Sequence, residues 1–261
     1  MIIPLVSSIE YSELSCLSAH EIVALKSTCK ILIIVNSKIN TCRFLELVCI
    51  FGSPNLAQPP EYRSKESKSI GLISNNSDFG FSSASKYWHS DSTFLAQPAR
   101  MTFLKCNEAP SQGGRTFFID TQLAYERLDC DKKKFVEKMI GVHSLREVYQ
   151  KTYNDRGLKK LDLNFFNPFP DQEHDIVLRN SRNEIRSLYL NEKYLTRIKG
   201  YDLQESNNIT SYLLNHSVSK SNIYKHSWKK NDILIWDNQL VMHKAEPVNN
   251  GVKICERACT S

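Results

Sequence analysis

Long hydrophobic runs are missing from this sequence of 261 residues. The longest apolar stretch near the start is Ile31–Val35, which has the length of a buried strand and is far shorter than the roughly 20 residues of a membrane-spanning helix. The first residues carry no basic segment, and Glu10 interrupts the apolar ones, so we expect no secretory signal. We therefore expect no membrane partner and predict a cytoplasmic protein.

Regularly spaced cysteines and a phosphate-binding loop are also missing. The eight cysteines are irregularly spaced, and none forms the Cys-x-x-Cys pair that would indicate a metal or redox site. We therefore expect free thiols in a reducing compartment. Gly113-Gly114 is not followed by a Lys-Ser or Lys-Thr pair, so it predicts a turn and not a phosphate cradle.

Charge of one sign is not concentrated in any segment, although the formal net charge is +6. The densest basic run, Asp131–Lys134, opens a predicted amphipathic helix and indicates a solvated helix face. Without a basic groove lined by aromatic side chains, we expect no nucleic-acid partner. A small anionic molecule fits the excess positive charge and needs no large patch. A homo-oligomer is compatible with the same composition.

Many short strand-like segments follow a helical N-terminal part. The predicted helices are Ala19–Ser27, Thr41–Ile50, Asp120–Leu128, Lys132–Ile140 and Tyr201–Asn215. The predicted strands are Lys30–Val35, Gly71–Ser74, Thr102–Cys106, Thr116–Ile119, Ile176–Leu178, Ile185–Leu190, Ile233–Trp236 and Val252–Ala258. A stretch without periodicity at 150–172 is typical of a long loop or lid. Together these features predict one domain over 1–261 with a jelly-roll or barrel core.

One segment carries the residues of a metal site. In His89-Ser90-Asp91 an imidazole and a carboxylate stand two positions apart, and on an extended chain both point to the same side. A third ligand must then come from a distant segment, and His243, 152 residues after Asp91, is the candidate. Two histidines and one carboxylate leave coordination positions open, as in non-haem iron oxygenases. Alone, the His-x-Asp pattern is weak evidence, since it occurs by chance in many chains.

Four blocks around these residues resemble the motifs of the taurine dioxygenase family, an Fe(II)- and 2-oxoglutarate-dependent family that includes chlorophenoxyacetate dioxygenases. The blocks are Trp88–Phe94 with Pro98-Ala99, then Glu108–Pro110 with Gly113–Thr116, then Leu188–Asn191 with Tyr194 and Thr196–Ile198, and finally Trp228, Asp232–Asn238 and Met242–Ala245. They stand in the order that the family has, and the resemblance as a whole covers roughly residues 14 to 258. Agreement of all four blocks by chance is implausible.

The resemblance implies a double-stranded β-helix, a cupin-like jelly roll, with flanking helices. It implies that His89, Asp91 and His243 are the metal ligands and the catalytic centre, with Fe(II) as metal, 2-oxoglutarate as co-substrate and O2 as oxidant. The expected reaction hydroxylates or desaturates a small anionic metabolite, amino-acid-derived compounds included, and releases succinate and carbon dioxide. A non-catalytic family member that binds a small ligand without turnover is the alternative.

The residues expected to hold 2-oxoglutarate depart from the family pattern at one position. By resemblance, Thr116 touches the co-substrate, and an Arg that follows the second His binds its far carboxylate. Lys253 occupies the aligned position, and Arg257 follows on the same face of the predicted strand. A guanidinium suits a carboxylate better than an ammonium does, so Arg257 is a second candidate for this role. The sequence leaves open which cation binds 2-oxoglutarate and which binds an anionic substrate group.

Other residues near these motifs have structural interpretations. Trp88 and Trp236 are expected to be core aromatics that support the ligand segments. Asp237-Asn238 is expected to form a turn or a hydrogen bond to a metal ligand. Arg197 has two interpretations of equal weight, substrate binding and an ion pair with a neighbouring acid.

Overall fold

The computed structural model describes residues 2–55, 62–76, 85–155, 167–180, 184–219 and 223–261. The N-terminal part contains two strands and three helices: β1 (Val6–Glu10), α1 (Tyr11–Leu14), α2 (Ala19–Ser27), β2 (Ile31–Val35) and α3 (Thr41–Cys49). Ser18 and Glu21 cap the start of α2 reciprocally, each side chain accepting from the other residue's backbone N–H. Asn40 caps α3 by accepting from the backbone N–H of Arg43.

The larger sheet has six strands. Four of them lie beyond the N-terminal part: β3 (Gly71–Ser74), β4 (Met101–Glu108), β13 (Ile233–Asp237) and β16 (Ile254–Thr260). The strand order is β1-β2-β13-β4-β16-β3. β1 and β2 run parallel, and every other pair is antiparallel. The uninterrupted apolar sequence of β2 is typical of a strand that is buried on both faces.

The remaining strands form smaller sheets. Their bounds are β5 (Gln112–Gly113), β6 (Thr116–Asp120), β7 (Ile140–His143), β8 (Gln172–Asp175), β9 (Val177–Asn180), β10 (Ile185–Leu188), β11 (Leu195–Ile198), β12 (Ile223–His226), β14 (Val241–Ala245) and β15 (Val248–Asn250). The pairings are β12-β6-β14, β11-β7-β8, β10-β9 and β15-β5. The later helices are α4 (Thr121–Glu126), α5 (Cys130–Val136), α6 (Leu145–Asp155) and α7 (Leu203–Ser217).

Buried apolar side chains fill the space between the two main sheets, which are the six-stranded sheet and the β12-β6-β14 sheet. Leu234 and Trp236 of β13 meet Phe118 of β6 and Val241 of β14. The opposite face of the larger sheet packs on the N-terminal helices, and the opposite face of the β12-β6-β14 sheet packs on α4, α5 and α7. Facing sheets with helices outside are the jelly-roll architecture that the sequence predicts. In the described ranges, no helix is long and apolar enough to cross a membrane.

Several element boundaries differ from the sequence predictions. The helix predicted to begin at Lys132 begins two residues earlier, because the Asp129 side chain caps it by accepting from the Lys132 backbone N–H. It also ends at Val136, and Ile140 opens a strand instead. The predicted loop at 150–172 begins later, since α6 continues to Asp155, and residues 156–166 of that prediction lie outside the described residues.

Candidate metal centre and active site

Backbone pairing brings two distant histidines together. His243 lies in β14, and His89 forms an isolated antiparallel bridge with it. The backbone N–H of His89 donates to the carbonyl of His243 at 3.0 Å, and the reverse bond measures 2.8 Å. The two ring centroids are 4.1 Å apart. The pairing therefore explains how two residues far apart in the sequence reach one point.

Asp91, which lies in a turn, is the third residue of the group with His89 and His243. The chain leaves the bridge after His89, and Ser92 takes a positive φ of 58°. The extended strand expected for His89 and Asp91 is thus a single bridge, yet both side chains still converge. Asp91 Oδ1 lies 3.8 Å from His89 Nε2, and Asp91 Oδ2 lies 3.8 Å from His243 Nε2. One ligand atom of each residue lies within 4.8 Å of the other two.

The surroundings keep Asp91 ionised and the two imidazoles neutral. Burial alone would raise the pKa of Asp91, but the positive charge of Arg257 and the hydrogen bond from Thr102 lower it below its ordinary value. Burial lowers the pKa of His89, and it lowers the pKa of His243 to about 3. A carboxylate and neutral imidazoles are the forms in which these side chains bind metal ions.

The hydrogen bonds of the histidines fit a metal site. His89 Nδ1 lies 2.9 Å from the carbonyl oxygen of Tyr87. Because a carbonyl oxygen can only accept, Nδ1 carries the proton, and the lone pair of Nε2 is available to a metal ion. His243 Nδ1 is buried and has no hydrogen-bond partner among the described residues. Both Nε2 atoms face the carboxylate of Asp91. The three side chains can therefore offer two imidazole nitrogens and one carboxylate to a metal ion.

Arg257 of β16 reaches the same group. Its Nη2 atom lies 2.7 Å from Asp91 Oδ1. Burial would lower the pKa of Arg257, but the charge of Asp91 raises it above its ordinary value. The guanidinium therefore stays charged, and because it has five N–H donors it can bind a further anion beside Asp91.

Thr116 and Lys253 meet around the indole of Trp228. Trp228 Nε1 donates to Thr116 Oγ1 at 2.9 Å, and Lys253 Nζ lies 4.7 Å from the centre of the indole. Lys253 Nζ also donates to the carbonyl of Gly114 at 2.7 Å. Within the described ranges, no carboxylate forms an ion pair with this ammonium, and burial lowers its pKa. Lys253 is therefore a half-buried cation that an external anion would stabilise.

The two cations face the same space between the sheets, as their spacing predicts. Cys255, which stands between them in sequence, lies in the core between the sheets. Glu256 points the other way and pairs with Lys105 at 3.0 Å. Arg257, two residues after Cys255 on β16, therefore faces the space between the sheets, and Lys253, which directly precedes β16, reaches the same core through its contact with Trp228.

Sequence reasoning missed Thr102, and it named Tyr194 only as part of a motif. Thr102 of β4 donates to Asp91 Oδ2 at 2.6 Å. Its sequence context offers no signal, because a Thr in an apolar strand is an ordinary strand former. Tyr194 lies edge-on to Tyr87, whose ring centroid is 4.9 Å from that of His89. The motif that contains Tyr194 marks the segment, but only the fold brings it to the metal ligands.

The structure shows both features expected of Asp237-Asn238, a turn and a hydrogen bond to a ligand residue, and it decides between the two interpretations of Arg197. The side-chain oxygen of Asn238 accepts from the backbone N–H of Asp91 at 3.2 Å, which agrees with the expected hydrogen bond to a ligand residue. Arg197 forms ion pairs with Glu147 and Asp171. The ion-pair interpretation of Arg197 is therefore the one that the structure supports.

Two known proteins similar to this chain are dioxygenases by name. A protein of Schizosaccharomyces pombe, provisionally named as an alpha-ketoglutarate-dependent sulfonate dioxygenase, is 35% identical over 162 residues, which are 61% of this chain and 40% of that protein. The alpha-ketoglutarate-dependent sulfate ester dioxygenase of Pseudomonas putida is 30% identical over 161 residues, which are 60% of this chain and 53% of that protein. The chain thus spans about half the length of these relatives or less.

Two solved structures have the same fold. A crystal structure of AAD-2 in complex with Mn(II) and N-oxalylglycine has a TM-score of 0.80 at 22% identity and covers 100% of this chain and 94% of its own. A taurine dioxygenase from Burkholderia xenovorans has a TM-score of 0.77 at 19% identity and covers 99% of this chain and 88% of its own. The model of one family matches residues 3–259. This chain therefore belongs to the taurine catabolism dioxygenase TauD, TfdA family.

Proposed function

We propose that this chain is an iron(II)- and 2-oxoglutarate-dependent oxygenase that oxidises a small anionic molecule. The observation that carries the proposal is the buried group of His89, Asp91 and His243, with Lys253 and Arg257 facing the same space. Membership of the family and the names of the relatives support the same activity. The proposal covers the co-substrate, the substrate class and the role of each residue.

His89, Asp91 and His243 would hold the iron. Two imidazoles and one carboxylate are the donors that non-haem iron oxygenases use. Because His243 has a pKa of about 3, it is already neutral at physiological pH and does not have to lose a proton to bind a metal. Bound iron supplies the activation of O2 that oxidises the substrate while 2-oxoglutarate becomes succinate and carbon dioxide.

Lys253 and Thr116 would bind the far carboxylate of 2-oxoglutarate. Lys253 has no carboxylate partner among the described residues, whereas Arg257 already has Asp91. Thr116 Oγ1 accepts from Trp228 Nε1, so its own hydrogen is free to donate. A carboxylate placed between these two groups would gain an ion pair and a hydrogen bond. The geometry thus favours Lys253 over Arg257 in the choice that the sequence leaves open.

Arg257 would bind the anionic group of the substrate. Its guanidinium lies beside the metal ligands, at 2.7 Å from Asp91 Oδ1, and retains further N–H donors. An anion bound there would place the rest of the substrate close to the iron. The ring of Tyr87 lies next to His89, Tyr194 lies next to Tyr87, and Phe94 lies next to Tyr194, and these rings would contact the non-polar part of the molecule. These contacts also exclude water from the oxidation.

The substrates of named relatives indicate the kinds of molecule to test. Those names include sulfonates, sulfate esters, (S)-phenoxypropionate and 2,4-dichlorophenoxyacetate. All are small and carry one anionic group, which Arg257 could bind. Amino-acid-derived acids share this property and belong to the same set. Hydroxylation and desaturation both remain outcomes, because the position of the C–H bond relative to the iron decides between them.

The chain as a whole is proposed to form one catalytic domain in the cytoplasm. Two sheets and the helices on their outer faces form continuous packed clusters, which supports a single domain over 1–261. The reduced state of all eight cysteines is compatible with a reducing compartment. A homo-oligomer is compatible with the exposed apolar side chains, such as Leu203 and Phe135.

Succinate release tests the proposed activity. The purified protein is supplied with Fe(II), 2-oxoglutarate and, one at a time, alkyl sulfonates, sulfate esters, aryloxy acids and amino-acid-derived acids. We expect at least one compound to raise succinate formation and to yield an oxidised product by mass spectrometry. The His243→Ala protein, which would lack a metal ligand, serves as the control. Equal succinate from both proteins with every compound would contradict the proposal.

A non-catalytic binding protein is the second candidate. The ammonium of Lys253, in the position where the family has a guanidinium, is the observation that favours it, because a point charge binds a carboxylate less specifically. Binding of 2-oxoglutarate to the iron-loaded protein without succinate formation, with all candidate substrates, would support this alternative. The intact group of metal ligands favours the enzyme.

A further inference from the structure

A chain of hydrogen bonds begins at Trp236 and ends at the carboxylate of Asp91. Trp236 Nε1 donates to Asn238 Oδ1 at 3.1 Å. The other side of the same amide, Asn238 Nδ2, donates to Thr102 Oγ1 at 2.8 Å. Thr102 Oγ1 then donates to Asp91 Oδ2 at 2.6 Å. The chain thus connects two central strands of the larger sheet, β13 and β4, with the turn that carries Asp91.

The chemistry of these groups allows only one direction for the chain. An indole N–H can only donate, so the Asn238 atom that faces Trp236 must be the oxygen. The amide nitrogen therefore faces Thr102, whose oxygen accepts from it. Because a carboxylate can only accept, the hydroxyl hydrogen of Thr102 is directed at Asp91. The indole at one end therefore determines the position of the hydroxyl proton at the other end.

All three donors are inaccessible to water. The exposed fractions of Thr102, Asn238 and Trp236 are 0%, 1% and 2%. Solvent cannot replace a missing partner there, so each group depends on the next. Asn238 Oδ1 also accepts from the backbone N–H of Asp91 at 3.2 Å. The same amide therefore contacts the main chain of Asp91 directly and its carboxylate through Thr102.

The two carboxylate oxygens of Asp91 contact different donors, one on each oxygen. Arg257 Nη2 lies 2.7 Å from Oδ1, and Thr102 Oγ1 lies 2.6 Å from Oδ2. Without the hydroxyl on Oδ2, the charged guanidinium would be the dominant partner and would turn the carboxylate towards itself. With both partners in place, each oxygen lies 3.8 Å from the Nε2 atom of one histidine, Oδ1 from His89 and Oδ2 from His243.

We propose that Trp236, Asn238 and Thr102 are positioning residues that fix the orientation of the Asp91 carboxylate and thereby set the affinity of the site for its metal. The proposal rests on the proposed function, because it takes Asp91 as a metal ligand. Thr102 and Asn238 contact Asp91 directly, and Trp236 reaches it through Asn238. The indole of Trp236 also packs edge-on against His243, with ring centroids 4.8 Å apart, so Thr102→Val is the cleaner test. Partners that orient a ligand in this way typically change metal affinity by about 10- to 100-fold.

Co(II) binding to the metal-free protein tests the proposal without turnover. Thr102→Val removes the donor and keeps the shape of the side chain. We expect it to bind Co(II) about 10- to 100-fold more weakly and to change the visible spectrum of the bound Co(II). Thr102→Ser keeps the hydroxyl and should restore both the affinity and the spectrum of the parent. A role in packing alone would not produce this rescue.

Thr260→Val is the matched control. Thr260 is also a fully buried Thr of the larger sheet, and its hydroxyl has no hydrogen-bond partner among the described residues. The same substitution there should leave the Co(II) affinity unchanged. Trp236→Phe provides a second test if Thr102→Val does not fold. It removes the donor that orients the amide of Asn238, so it should weaken Co(II) binding less than Thr102→Val does.

The results separate this proposal from the proposed function. Parent-like Co(II) affinity and spectrum in folded Thr102→Val, or in Trp236→Phe if the former does not fold, would overturn the positioning role. An equal loss of affinity in Thr260→Val would overturn it as well. Asp91→Ala tests the metal site itself. If Asp91→Ala loses Co(II) while Thr102→Val keeps it, only the hydrogen-bond chain is wrong, whereas parent-like binding by Asp91→Ala would remove the metal site.

Discussion

Each metal-ligating side chain in the proposed site is oriented by a different kind of contact. His89 is oriented by its Nδ1–H bond to the carbonyl of Tyr87. His243 is placed by its two backbone bonds with His89. Asp91 has side-chain partners on both oxygens. Since these contacts do not depend on one another, loss of one ligand should leave the other two in place.

We predict that His89→Ala, Asp91→Ala and His243→Ala each abolish iron binding and turnover without unfolding the protein. A site with two remaining ligands loses most of its affinity, whereas the three clusters of core side chains stay intact. Iron content after anaerobic loading, together with circular dichroism, measures both effects. His20→Ala, at an exposed histidine, is the control. A ligand variant with full iron content and activity would disprove that residue's role.

The two cations are predicted to have separate roles. Lys253→Ala should weaken 2-oxoglutarate binding by roughly ten- to a hundred-fold, because loss of a charged hydrogen-bond partner costs about 1.5–3 kcal/mol. Arg257→Ala should mainly weaken the binding of the anionic substrate. Titration of 2-oxoglutarate against the charge-transfer band of the iron-loaded protein measures the first effect, and the dependence of succinate formation on substrate concentration measures the second.

Lys253→Arg is the control for this pair, since it keeps the charge and supplies the guanidinium of the family pattern. We expect it to bind 2-oxoglutarate at least as well as Lys253→Ala does. If Lys253→Ala and Arg257→Ala both bind the co-substrate as tightly as the parent, neither residue is its anchor, and the assignment along β16 is wrong.

Among the elements, β7 contains the buried group with the clearest consequence for stability. His143 at the end of β7 is fully buried, and neither ring nitrogen has a hydrogen-bond partner among the described residues. The rings of His174 and Tyr189 lie 5.2 Å and 5.9 Å away. Burial, followed by the neighbouring His174, lowers the pKa of His143 from 6.5 to about 3. The folded protein therefore keeps this imidazole neutral in mild acid.

We predict that His143 makes the fold sensitive to acid. Below pH 6.5 the imidazole of His143 is protonated in the unfolded chain, but in the folded chain it stays neutral until about pH 3. The free energy of unfolding therefore falls as the pH falls through this window. At pH 5 the loss is about 2 kcal/mol, since one pKa unit corresponds to about 1.4 kcal/mol. His143→Leu should remove most of this loss. Urea unfolding of parent and variant at pH 7 and pH 5 measures it.

His20→Leu, at an exposed position in α2, is the matched control and should keep the acid sensitivity of the parent. Burial also lowers the pKa of His174, so this residue likewise makes the fold less stable as the pH falls. Some acid sensitivity should therefore remain in His143→Leu. An unchanged difference between pH 7 and pH 5 in that variant would show that His143 is protonated or partnered in the folded protein.

The residue at which a helix begins depends on nearby side chains more closely than the residue at which it ends. Ser18, Asn40 and Asp129 cap three helices through side-chain oxygens that accept from the backbone three residues later. Such caps can be read from sequence.

β7 was not predicted, because it forms a strand only through pairing with β8 and β11, which are distant in the chain. Gly141 in this strand allows the close approach, since an added Cβ would lie 2.6 Å from Leu195 Cδ1.

At the scale of the whole molecule, aromatic contacts join residues 167–172, the described end of the region predicted as a lid, to the metal ligands. Phe169 contacts Phe94, with ring centroids 6.2 Å apart, and Phe94 contacts Tyr194 at 5.0 Å. Tyr194 in turn lies near Tyr87, next to His89. A row of aromatic rings thus connects the described end of the 150–172 region with the site.

We predict that the 150–172 region covers the site when ligands bind. Lids exclude water from reactive sites, and the aromatic contacts of Phe169 place one end of the region close enough to do so. Amide hydrogen exchange in this region should slow when metal, 2-oxoglutarate and substrate are added in the absence of oxygen. Exchange in β2, a buried strand of the larger sheet, is the internal reference. Exchange at 150–172 that is the same with and without ligands would contradict the prediction.

The sequence by itself determined the family, the fold class and the candidate ligands, because these depend on residue types at short spacings. His89-Ser90-Asp91, the block around His243 and the alternation of Lys253 and Arg257 are all local patterns. The tertiary structure alone decided which groups meet. It placed Lys253 beside Trp228 and Arg257 beside Asp91, and it joined Trp236 and Asn238 to Thr102. The longest of these contacts joins residues 166 positions apart in sequence, Asp91 and Arg257, so no local spacing could predict it.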